Sequence, residues 1–159
     1  EVLYDVTLEE DMDYVEFTGL DINSDKAYVI FMMYRNPLAS NVDNVIYVND
    51  DLNNADYYSQ YILATGTSVS AAQKNAPYIG GANANSSATM VIFVMLDPNG
   101  YMRASVIQNV LTGTSLHIIL RGVVSVNTFT NITKIRIASS IAGGIGAGSE
   151  FILARVKRA

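Results

Sequence analysis

At 159 residues with no cysteine, the chain is long enough for one domain burying about 70% of its unfolded surface, and it excludes a disulfide scaffold, thiolate zinc sites and a cysteine nucleophile. The formal charge of −5 conceals an asymmetry: residues 1–56 hold 13 of the 15 acidic groups against Lys26 and Arg35, whereas residues 57–159 hold Asp97, Glu150 and eight bases. An acidic half of this kind disfavours nucleic acid, and 50% hydrophobic against 16% charged residues suits a subunit covered by neighbours, so a homo-oligomer is expected.

No run of about 18 apolar residues occurs, so no membrane insertion is predicted, and EVLYDVTLEE lacks the basic-then-apolar order of a signal peptide. A start at Glu1 rather than methionine gives the expectation of a processed or trimmed N-terminus.

Helical periodicity is scarce, while short β-branched and aromatic runs recur between Gly, Asn and Asp clusters. The pattern predicts strands over 2–8, 14–20, 27–34, 44–48, 89–96, 101–110, 116–126, 134–139 and 150–156. So many strands exceed one small open sheet. The fold class is therefore all-β, a jelly-roll-like β-sandwich of two antiparallel sheets, about eight to ten strands with at most one short helix, in a single domain over 1–159.

Along the chain, DINSDK (residues 21–26) has oxygen-bearing side chains at alternate positions, as a calcium-binding EF-hand loop does. That loop needs Gly at its sixth position and Glu at its twelfth, where this chain has Lys26 and Met32. A polar hairpin turn joining the strands of Phe17 and Tyr28 is the better reading.

Next, the cluster of Asp50, Asp51 and Asp56 is either a calcium site of the kind sandwich loops can gather, calcium being the one cofactor considered, or an Asx-rich turn in water. After it, ADYYSQYILATG reads as a short helix or an edge strand. Residues 65–87 are small, polar and without periodicity. They read as a structureless loop that contacts a partner.

TMVIFVML is continuously apolar, hence a central strand covered on both faces. Asp97-Pro-Asn-Gly100 then supplies proline for a fixed φ and Asn-Gly for positive φ, a tight hairpin. In SLHIILRG, Leu116, Ile118 and Leu120 alternate with His117, Ile119 and Arg121, which places the one histidine on the less apolar face. A catalytic triad through His117 has no identifiable serine or carboxylate partner in the sequence, so no catalytic residue is assigned. In KIRIASS, Ile135 and Ile137 share a dry face opposite Lys134 and Arg136. The stretch from Ala142 to Ser149 lacks both phosphate-loop registers and reads as a glycine turn into the last strand. Sequons stand at Asn85 and Asn131.

The strand ending FTGLD, the SDK turn, Tyr28 in an apolar strand, the Asp-Pro-Asn-Gly-Tyr hairpin, KIRIASS and the closing GAGSEFILARVK together resemble the jelly-roll β-sandwich structural proteins on virions of tailed phages and related viruses. Ala154 departs from the pattern, which has an aromatic residue there. The resemblance implies a non-enzymatic capsid decoration, tail or fibre protein located in the virion. Such a protein acts by assembly with copies of itself and other virion proteins, and by attachment to the host surface.

Partner contacts are then expected at Tyr57, Tyr58, Tyr61 and Tyr78 and at the basic tail Arg155, Lys157 and Arg158, which could meet the acidic half of a neighbouring copy. The alternative is a carbohydrate-binding module that uses these tyrosines or Tyr101 as platforms for a host-surface glycan, although the lack of tryptophan weighs against it. A small hydrolase ranks last.

Overall fold

The computed structural model describes residues 1–112 and 115–157. Its elements in chain order are β1 (Val2–Thr7), β2 (Tyr14–Phe17), β3 (Asp25–Arg35), β4 (Val42–Val48), a 3-10 turn (Asn54–Asp56), β5 (Tyr57–Thr65) and β6 (Ser68–Lys74). There follow β7 (Tyr78–Ala82), β8 (Ser87–Leu96), β9 (Tyr101–Thr112), β10 (Ser115–Thr128), β11 (Ile135–Ser139) and β12 (Glu150–Lys157).

These strands form two antiparallel sheets, one of eight in the order β1-β12-β3-β8-β9-β10-β5-β6 and one of four in the order β2-β11-β4-β7. Four nested pairs run from the outside of the chain inward: β1 with β12, β2 with β11, β3 with β8 and β4 with β7. Successive pairs fall in alternate sheets, which is the winding of a jelly roll. Two hairpins interrupt it. The β5–β6 hairpin is inserted between β4 and β7, and β9–β10 between β8 and β11, and the two join through β10 and β5 to widen one sheet from four strands to eight.

Side-chain alternation builds the core. On β3, Tyr28, Ile30, Met32 and Tyr34 point inward and are buried, meeting Met90, Ile92 and Val94 of β8 and Phe151 and Leu153 of β12. From the smaller sheet come Val15, Phe17, Ile46, Val48, Ile135 and Ile137, all buried. The dry face expected of KIRIASS is therefore real, and Arg136 on its wet face pairs with Glu16 at 2.5 Å.

Asn36 fastens the end of β3 to the rest. Fully buried, it donates through Nδ2 to the carbonyls of Ser40, Ala82 and Asn83, and its Oδ1 accepts from the Leu38 N–H.

Several expectations need correction. Twelve strands form among the described residues, more than predicted, because residues 65–87 are not structureless. Strand β6 has no alternation to read: all seven residues are exposed, and backbone pairing with β5 holds it extended. Strand β7 carries two glycines because neighbouring atoms crowd it; a Cβ on Gly81 would lie 2.1 Å from the Val42 carbonyl oxygen. Residues 57–65 are strand rather than helix, and β5 lies between β10 and β6 instead of at an edge. DINSDK does turn the chain, but β2 and β3 belong to different sheets, so it is a crossover and not a hairpin. The central strand β8 is covered on its inner face alone, with Phe93 and Met95 exposed on the other. Among the described residues no helix is long and apolar enough to cross a membrane.

Candidate functional site

Strand β10 carries the feature that matters most for function. Its less apolar face, with Ile119, Arg121, Val123 and Ser125, is buried, while Leu116, Ile118 and Leu120 are 55%, 45% and 49% exposed. The neighbouring strands, apolar on their inner faces, also carry apolar side chains outward. Ile152, Phe31, Val91, Ile107, Leu120 and Ile62 are successive register partners across β12, β3, β8, β9, β10 and β5, so an unbroken apolar row crosses the outer face of the wide sheet.

The adjoining rows are uncharged from β3 to β5, with Val29, Phe93, Ser105, Gly122 and Gln60 on one side and Met33, Thr89, Asn109, Ile118 and Ala64 on the other, the latter ending at Glu150 on β12. Phe31, Met33, Ile62, Phe93, Ile107, Ile118 and Leu120 of these rows are 39% to 49% exposed and together leave several hundred Å² of apolar surface in water, approaching the roughly 800 Å² that each partner contributes to a standard stable interface. A monomer ordinarily leaves a few hundred Å². Charges gather at the rim, where Arg103 pairs with Asp97 at 2.9 Å.

Under the inner face of β10 lies the second feature. Arg121 is 7% exposed and lies over two rings, its Cζ 4.2 Å from the centroid of Tyr78 and 5.0 Å from that of Tyr61. Its Nη2 donates to Gln108 Oε1 at 3.2 Å, and Gln108 in turn donates to the Gly81 carbonyl. Nε and Nη1 of Arg121 make no hydrogen bond to the described protein atoms. Burial lowers the pKa of this guanidinium, opposed by the Tyr78 hydroxyl and the carboxylate of Asp43. Asp43 itself is ion-paired with Lys74 at 3.3 Å. A cavity of about 200 Å³ opens here, lined by Arg121, Gln108, His117, Tyr78, Asp43 and Asn83, among others.

The sequence-predicted site residues are dispersed by this fold. Tyr57 is buried rather than a platform, because it faces inward at the start of β5 and donates to the Asp51 carbonyl at 3.0 Å. Tyr61 and Tyr78 also face inward, packed edge to face at 6.5 Å, and Tyr101 is half-buried. Tyr58 alone of the four stays open, on the outer face at 41% exposure.

Arg155 and Lys157 bond within the chain, to Glu1 at 2.8 and 3.1 Å, because β12 pairs with β1. Arg158 lies outside the described residues. Asp50, Asp51 and Asp56 turn to separate partners: Lys134 at 2.7 Å, Asn127 at 3.1 Å and Asn53 at 3.0 Å. Asn49 and Asp50 adopt positive φ, as an Asx-rich turn does. Among the described residues no three His, Asp or Glu side chains converge on one point.

In DINSDK, Asp21 accepts from the Ser24 hydroxyl at 2.5 Å, the Asn23 N–H at 3.2 Å and the Asn131 amide at 3.0 Å. The sequon asparagine Asn131 is thereby part of the turn. Arg121, the most unusual charged group here, was missed, since arginine in a strand normally reads as a solvated position.

No family model matches the chain, and no curated protein does. Among solved structures, a galectin of Caenorhabditis elegans is similar at 12% identity and a TM-score of 0.40, over 93% of this chain and 94% of that one. Ail, the attachment invasion locus protein of Yersinia pestis, is similar at 7% identity and a TM-score of 0.24, over 64% of this chain and 97% of its own. Scytalido-glutamic peptidase is similar at 12% identity and a TM-score of 0.28, over 92% of this chain and 65% of its own. Likeness this low carries no argument about function; the jelly-roll winding stands on its own strand order.

Proposed function

We propose that this protein is a non-enzymatic structural subunit of a virion, a capsid decoration, tail or fibre component, that acts by self-assembly through the outer face of its wide sheet. The single observation that carries the assembly reading is the inversion on β10, where Leu116, Ile118 and Leu120 face water while Arg121 faces the core. Leaving that face in water is unfavourable for an isolated chain and becomes favourable once a second copy covers it.

A face that is apolar through its centre can meet a second copy of itself, as a two-fold interface requires. The virion assignment draws on the sequence resemblance carried by FTGLD, the Asp97–Tyr101 turn and the closing strand. Sedimentation equilibrium over a dilution series tests the assembly: the reading expects a closed oligomer, and a monomer at every concentration overturns it. Immunogold labelling of purified particles tests the location.

A glycan-binding module is the second reading. It is favoured by a shallow depression of about 500 Å³ beside the exposed Tyr58, with Gln60, Gln73, Arg103 and Ser105 around it. Glycan-array binding that disappears in Tyr58→Ala would support this reading over the first.

A further inference from the structure

We propose that the cavity beneath β10 is a binding site for a small carboxylate anion, held by Arg121. Geometry carries this. The guanidinium is more than nine-tenths buried, no Asp or Glu among the described residues forms an ion pair with it, and two of its three nitrogens lack a hydrogen-bond partner there. A guanidinium in that position is costly to desolvate unless an anion meets it.

The donor arrangement selects the kind of anion. Each edge of a guanidinium fork pairs Nη2 with either Nε or Nη1, and Nη2 carries two N–H groups. Gln108 takes one of them at 3.2 Å. Whichever it takes, one fork keeps both donors, and two parallel N–H groups match the two oxygens of a planar carboxylate. Gln108 is itself tied to Gly81, while the rings of Tyr61 and Tyr78 lie against the guanidinium, so its position is restrained before anything binds.

The Asp43 carboxylate at the rim would repel an anion, but Lys74 neutralises it at 3.3 Å. With about 200 Å³ available, the cavity admits a carboxylate on a short polar body. Asn41, Asn83 and His117 are among the polar side chains lining it.

Free organic acids and acidic monosaccharides share this chemistry, and the test separates them. In a ¹H–¹⁵N spectrum of the full chain, the Arg121 Nε–H resonance should shift saturably with sodium acetate and stay fixed with sodium chloride at equal ionic strength. Thermal melts should rise with acetate and lose that rise in Arg121→Met. A response to glucuronate stronger than to acetate, with none to glucose, assigns the site to an acidic sugar. A response to acetate alone assigns it to a free acid. Asp43→Asn, which leaves the fork intact, should strengthen either response. An Nε–H resonance unmoved by both acetate and glucuronate overturns the proposal, as does an acetate effect on melting that persists in Arg121→Met.

Discussion

Leu120 and Arg121 are neighbours on one strand with inverted surroundings, the leucine 49% exposed and the arginine 7%. Period-two alternation forces one of them inward, and here the charged one is chosen. Two rings and Gln108 compensate Arg121 only in part, so its charge is a weak source of stability. In chloride buffer, Arg121→Met is expected to unfold within about 1 kcal/mol of the parent or to be more stable, because it fills the same space without a charge to desolvate. Arg121→Ala should lose about 2–4 kcal/mol in denaturant melts through the cavity it leaves between Tyr61 and Tyr78.

Two glycines should respond in opposite directions. A Cβ on Gly81 would sit 2.1 Å from the Val42 carbonyl oxygen, and backbone cannot step aside, so Gly81→Ala should cost about 3 kcal/mol or more. Gly122, in mid-strand on the outer face, has nothing within 4 Å of an added Cβ. Gly122→Ala should stabilise by about 0.5–1 kcal/mol, read by urea titration.

Asn36→Asp should be strongly destabilising. It removes the donor that three carbonyls share and points a carboxylate at them in a fully buried place. The loss expected is about 3–5 kcal/mol at neutral pH, shrinking as the new carboxyl protonates in acid. Equilibrium melts at pH 7 and pH 4 check both parts.

Ionisation of four tyrosines should be coupled to unfolding. Burial raises the hydroxyl pKa of Tyr34 to about 12 and pushes Tyr28, Tyr57 and Tyr78 higher still. A raised folded-state pKa gives stability that is complete below the ordinary value near 10 and is lost as pH climbs through the raised values. Absorbance at 295 nm should therefore show these four hydroxyls ionising only as circular dichroism reports unfolding.

Much of the fold was legible because local pattern and local chemistry agree. Asp97 shows this: its Oδ1 accepts from the N–H groups of Asn99 and Tyr101, and Gly100 takes φ of 85°, so the hairpin follows from four residues. Strands β6 and β7 were not legible, since Ser, Ala and Gly carry no periodic signal and pairing alone makes them strands. Nor was the nesting of β1 with β12, a pairing between residues at opposite ends of the chain. The site was hidden for a different reason. Alternation in SLHIILRG separates two faces but does not say which is dry, and the usual rule of apolar inward selects the wrong one while the chain is considered alone.

The direct measurement is sedimentation velocity of the parent chain beside the paired variant Ile107→Asp, Leu120→Asp, with circular dichroism to establish that both are folded. These residues face each other across β9 and β10 in the centre of the apolar row. The account predicts an oligomer for the parent and a folded monomer for the variant, because two carboxylates at the centre of a dry interface would be buried unpaired. An oligomer of unchanged size in the folded variant would contradict it.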